Sequence, residues 1–144
     1  MILDATTLFS AAQAVTATAA STNVIDLGQT GTVFGAATAI ARDVGRGATV
    51  PIAIRIVENF NNLTSITVTV ETDDNSGFST PATVFSSPTY ALADLQSGAR
   101  HLLPDALPIG TAERYVRLKY TLAGTTPTTG KITAGIAAGL QTNG

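Results

Sequence analysis

Apolar residues in this chain fall most often at every second position, the pattern of strands with one dry and one wet face. In Thr64–Glu71, Ile66, Val68 and Val70 alternate with Ser65, Thr67, Thr69 and Glu71. Tyr115–Leu122 sets Val116, Leu118, Tyr120 and Leu122 against Arg117, Lys119 and Thr121. Ile132, Ala134, Ile136, Ala138 and Leu140 make a third apolar face, and Val50–Val57 a fourth, with Ile52, Ile54 and Ile56 opposite Arg55. Weaker alternation predicts strands at Gln13–Ala20, Asn23–Leu27, Ala82–Ser86 and Ala99–Leu103. Helical signal is thin because β-branched Thr restricts χ1 beside the preceding turn. It leaves one short turn at Ala91–Leu95 and a helical alternative for Asp4–Gln13.

Turn-forming residues separate these runs at Leu27-Gly28, Gly45–Gly47, Asn59–Asn62, Asp73–Gly77, Gly124–Pro127 and Gly130. No repeat, linker or shift of composition divides the chain, so residues 1–144 read as a single domain. The expected fold class is all-β: a jelly-roll or similar Greek-key β-sandwich of about eight antiparallel strands with little helix.

Composition narrows the function. The 144 residues carry a net charge of −2 and are 44% hydrophobic, which argues against disorder. Only 12% are charged, against about 25% in ordinary soluble domains. Thr and Ala make up about a third of the chain, so hydroxyls and small apolar groups build the surface. The absence of Cys removes disulfides, thiolate metal sites and cysteine nucleophiles. Eight basic residues against ten acidic ones give no electrostatic footprint for nucleic acid. No run reaches the roughly 18 apolar residues of a membrane helix. Met1–Ser21 is apolar, but no Lys or Arg occurs before Arg42, so no secretory signal is expected.

Candidate chemistry is sparse. His101 is the one imidazole; a Ser-His-Asp triad needs one, but no Gly-x-Ser-x-Gly elbow accompanies it. Asp73-Asp74-Asn75-Ser76-Gly77 gathers oxygen ligands, yet lacks the alternate carboxylates and final Glu of a calcium loop, and fits a hairpin turn better. Asp4 with Asp26, or Glu58 with Glu71, would serve a glycosidase only at a defined separation. Gly28, Gly31 and Gly35 do not form a phosphate-binding motif. Asn62-Leu63-Thr64 matches a glycosylation acceptor but is more simply a turn entering a strand. Arg42, Arg46, Arg114, Arg117, Lys119 and Lys131 are scattered. The chain is therefore expected to be no enzyme, to need no cofactor or metal, and to bind neither nucleic acid nor membrane directly. A charge-poor β domain suits enclosure by protein partners, because interface centres are depleted in charge. Strand edges without Lys are tolerable in an assembly and a liability in a free monomer.

Met1-Ile2-Leu3-Asp4, Leu8-Phe9-Ser10 and the run Gln13–Gly28 resemble capsid cement (decoration) proteins of tailed double-stranded DNA bacteriophages. So do Phe60–Ser65, Thr67–Val70, Thr72–Asn75, Phe78–Pro81, Ala91–Leu95, Arg114–Leu118 and Gly130–Gly135, in that order along nearly the whole chain. The resemblance implies a jelly-roll virion protein, made in the host cytoplasm, that sits on the outer capsid surface. Its implied partners are the major capsid protein lattice and further copies of itself, a dimer ahead of a trimer. Its implied work is to clamp neighbouring capsomers against the pressure of packaged DNA. Ile2, Leu3, Leu8 and Phe9 are the candidate partner-interface residues, on a segment 1–12 set apart as an N-terminal arm; alternatively they close the protein's own core. The rival function is a carbohydrate-binding jelly-roll module for host attachment, which would need an exposed cluster of aromatic and carboxylate side chains, whereas Tyr90, Tyr115 and Tyr120 are spread across separate strands.

Overall fold

Period-two alternation becomes antiparallel strands in a computed structural model that describes residues 2–98 and 101–139. The strands are β1 (Leu3–Ala14), β2 (Ala19–Ala20), β3 (Ile25–Asp26), β4 (Ile52–Glu58), β5 (Leu63–Asp73), β6 (Ala82–Ser86), β7 (Tyr90–Ala91), β8 (Tyr115–Gly124) and β9 (Lys131–Ala137). The helical turn expected at Ala91–Leu95 is a 3-10 turn over Leu92–Asp94. One sheet runs β1-β9-β4 and the other β2-β8-β5-β6, with β3 also on β8 and β7 also on β5.

Four of these strands are halves of two interrupted ones. β2 and β3 follow one another along β8, from Ala19 opposite Tyr120 to Asp26 opposite Tyr115. β6 and β7 do the same along β5, parted where Pro88 follows Ser87. Beside β4, residues 102–107 run as an irregular ladder: Leu102 N–H donates to Ile54 O, Ile52 N–H to Asp105 O and Leu107 N–H to Val50 O. Pro104 has no N–H to contribute to it. Counted this way the chain lays down eight extended segments in nested pairs. β1 pairs with β9, β2/β3 with β8, β4 with 102–107, and β5 with β6/β7. That nesting is the jelly roll.

Four expectations change. The strand expected at Gln13–Ala20 is broken: β1 ends at Ala14, residues 15–18 turn, and β2 is only Ala19–Ala20. Asp4–Gln13 is extended, not helical. Register shifts at Leu3/Leu8, Leu8/Ser10 and Ser10/Gln13 break its alternation, and Ala12 sits at φ 46°. Of the strand expected at Ala99–Leu103, residues 99 and 100 lie outside the described residues, and 101–103 belong to the irregular ladder. On β9, Ala137 is buried and Ala138 exposed, because the chain turns after Ala137; Leu140 lies outside the described residues.

Between the sheets lies a core in which Phe9, Val15, Ile52, Ile54, Ile66, Val68, Val70, Val116, Leu118 and Ile132 are fully buried. Tyr120 is buried among them, and its hydroxyl meets Ser10 Oγ at 2.8 Å. That pairing satisfies both groups, while burial raises the phenol's pKa and keeps it neutral.

The registers define two ends of the sandwich. At one, Leu3 stands opposite Ala137, Ile52 opposite Ile136, and Asp26 and Asp73 both opposite Tyr115. Residues 27–51, 74–81 and 108–114 emerge there. At the other, Ala14 and Glu58 face Lys131 and Leu63 faces Gly124; the connections 15–18, 59–62 and 125–130 there are short, and a longer one after β7 carries the 3-10 turn and packs on 59–60.

Candidate interaction surface at the loop-rich end

The connection 27–51 is long for a compact domain, and long loops in such domains commonly carry function. It contains a small hairpin closed by a bridge between Thr32 and Ala39 and by Ile40 N–H on Gly31 O at 3.0 Å. At its tip Ala36 N–H donates to Val33 O at 2.9 Å across Phe34-Gly35. Gly35 adopts φ +82°, the left-handed value such a turn requires at its third residue.

Every residue from Gly31 to Ala41 is exposed, and no charge occurs from Leu27 to Ala41. Phe34 is 105% exposed, with Val33 at 58% and Ile40 at 56%. Ile2 at 74% and Ile109 at 66% come from segments at the same end. Burying a Phe side chain gains about 1.5–3 kcal/mol, so Phe34 in water is a large unused driving force for association.

The foot of the hairpin is held from both sides. Asp26 accepts from Arg114 Nε at 2.8 Å and Nη2 at 2.7 Å, and from Gly28 N–H at 2.7 Å. Those bonds, Arg114's first, hold the Asp26 carboxyl down at about 2 and raise the Arg114 pKa in return. Arg114 lies over the Tyr115 ring at 4.9 Å. Arg42, at the far foot, donates to Gly28 O and Glu113 O. Beyond it, Val44 N–H bonds Thr111 O at 3.1 Å and Gly110 N–H bonds Asp43 Oδ1 at 3.0 Å. A Cβ on Gly45 would fall 2.1 Å from Pro108 O, so only glycine permits this approach. Under the hairpin is a cleft of about 380 Å³ lined by Gly28, Thr30, Arg42, Asp74, Ala112 and Arg114 among others. Its walls carry both signs of charge.

The residues expected at the interface separate. Ile2 is exposed, Leu3 and Leu8 are half-buried, and Phe9 is fully buried. Leu8 covers Gly135, where a Cβ would come 2.9 Å from Leu8 Cδ2. Residues 3–14 are an edge strand of the first sheet and do not project as an arm, and pairing with β9 turns Phe9 inward. Past residue 7 that edge is covered: Asn23 N–H donates to Phe9 O at 3.0 Å and Thr22 N–H to Gln13 Oε1 at 2.9 Å.

The other candidates are structural. His101 Nδ1 accepts from Ile54 N–H at 3.2 Å, and Nε2 lies 3.2 Å from Asp105, fastening 101–107 to β4. Burial lowers its pKa. Asp73 spends its carboxylate on the N–H groups of Asn75 and Thr80, both at 2.8 Å, so it shapes its own loop. Arg117 stacks on Phe78 of that loop at 4.1 Å. Glu71 pairs with Arg117 and Lys119, Glu58 with Lys131, and Asp4 accepts from Thr6. Asn62, at φ 61°, is the turn entering β5. Among the described residues no group of three or more acidic or His side chains could hold a metal, and no helix is long and apolar enough to cross a membrane. Tyr90 and Tyr120 are buried and Tyr115 is half-buried beneath Arg114, so the tyrosines share no exposed face.

Alternation does not single out Val33, Phe34 or Ile40. The signal that would have found them is an uncharged run holding large apolar residues beside a turn glycine. A protein-family model described as Bbp16 matches residues 9–136, from Phe9 in β1 to Ile136 in β9. No curated protein matches the chain.

Proposed function

The chain belongs to the Bbp16 family, and on that footing we propose that it is a structural virion protein that cements a phage capsid. It sits on the outer surface of the icosahedral shell as a small homo-oligomer, spans neighbouring copies of the major capsid protein and works without catalysis. Family membership and the antiparallel sandwich are in keeping with a phage structural part. The observation that carries the reading is the contrast at the loop-rich end: an uncharged, wholly exposed apolar segment on a rigid foot. Such a surface is built to be covered by protein.

Cementing needs only modest contacts per copy. Each copy that bridges two capsomers makes its second contact intramolecular, and many copies per shell add up. A protein that binds the assembled lattice and not loose subunits stabilises the lattice by linkage. The test is co-sedimentation of the purified protein with expanded capsids that lack it, beside unexpanded shells and loose capsid subunits. Saturable binding to expanded shells alone, with raised thermal or osmotic resistance, is the expected result. Absence of binding to every form would sink the reading.

A further inference from the structure

Resting on the cement role, we infer that the Gly31–Ala41 hairpin is a preformed finger whose Phe34 enters an apolar recess formed where neighbouring shell subunits meet. The finger is convex, and its apex is a single aromatic side chain wholly in water. A projecting side chain is desolvated on all sides only by a recess, and anchors of this kind dominate binding energy. Fifteen residues without charge, Leu27–Ala41, require an uncharged counterpart, because a charge facing them would lose its hydration and gain no partner. The foot is fixed in advance by the Asp26–Arg114 pair and by Arg42 on Gly28 O. Little ordering is therefore left for the moment of binding.

The cleft that a second copy would offer under its own hairpin is walled by Arg42, Asp74 and Arg114, which would strand a phenyl ring among charges; pairing of two fingers is the self-association outcome of the test. A recess shared by two capsid subunits exists only in the assembled lattice, so the finger would also account for binding to shells in preference to loose subunits.

The test compares wild type, Phe34→Ser, Phe34→Leu and Val57→Ser in co-sedimentation with expanded capsids. Val57 is 44% exposed and adjoins Glu58 at the opposite end, which makes it the apolar control. Phe34→Ser should weaken binding about 30-fold, the scale of a hot-spot anchor. Phe34→Leu should stay within about threefold, since it keeps most of the apolar area. Val57→Ser should match wild type, and all four should melt alike. If wild type binds shells and Phe34→Ser binds equally well, the finger is wrong and the cement role stands. If wild type binds no shell, both fall. Flotation with phosphatidylglycerol vesicles and sedimentation velocity of the free protein complete the set. Capture by vesicles, or self-association, that disappears in Phe34→Ser would assign the finger to lipid or to a second copy and overturn the inference.

Discussion

The two ends of the sandwich are built on opposite terms. At the tight end, polar turn groups are consumed within the protein. Asn61 Oδ1 accepts from Thr128 and Thr129 N–H at 2.9 and 3.1 Å, its amide donates to Thr128 Oγ1, and Asn59 Oδ1 accepts from Ser97 N–H. Glycine allows close approach there: a Cβ on Gly130 would sit 2.3 Å from the Phe60 ring, and one on Gly124 2.2 Å from Thr64 Oγ1. At the loop-rich end the same care goes into the foot of the hairpin, while the hairpin itself is left apolar and uncovered. A fold that fastens its loops so thoroughly at one end, yet leaves Phe34 in water at the other, has its unmet interaction at the second. Stability and association should therefore respond to different substitutions.

The sharpest way to break that division is Phe9→Ala. Phe9 was expected at the interface and lies in the core, so its truncation should cost about 4 kcal/mol in urea unfolding. Shell affinity per folded molecule should not change. A mutant of normal stability and poor binding would return β1 to the interface. Gly130→Ala comes next. Gly130 adopts φ +133° against the Phe60 ring, and the forced shift should cost about 2 kcal/mol, seen as a lower melting temperature with hairpin function intact. The smallest effect belongs to Asp26. Its carboxyl, held at about 2 by Arg114 and by Gly28 N–H, would ordinarily titrate near 3.8. A lowered folded-state pKa gives stabilisation that is complete above 3.8 and fades as pH falls through about 2. Protection of the Gly28 amide, taken relative to its intrinsic exchange rate at each pH, should fall across that window in wild type, and in Asp26→Ala, which lacks the acceptor, it should be low throughout.

What the sequence revealed follows from where alternation survives. Strands β5 and β8 were legible because Ile66-x-Val68-x-Val70 and Val116-x-Leu118-x-Tyr120 run unbroken against the core. β1 was ambiguous because three register shifts scramble its period. The ladder on β4 was blurred because Pro104 interrupts it and its hydrogen bonds join residues about fifty positions apart. The Ser10–Tyr120 pairing, between residues 110 apart, leaves no local trace. At the candidate site, charge poverty was visible at once, but its location was not. The apolar N-terminus drew attention because it is apolar, whereas pairing with β9 is what decides that Phe9 faces inward. Phe34 is exposed for the opposite reason. Only one bridge, Thr32 to Ala39, closes its hairpin, and every residue from Gly31 to Ala41 is in water.

The nested pairing sets the first and last strands side by side, with Leu3 opposite Ala137 at the loop-rich end and Gly124–Gly130 at the far one. If the loop-rich end lies on a shell, as proposed, the molecule is a one-sided carrier. A peptide spliced between Gly124 and Gly130 would ride on the outward face, open to antibody on an intact particle. The same peptide placed ahead of Ile2 would be pinned underneath. Anyone dressing such particles with foreign cargo would do better to open the tight end than to extend the chain.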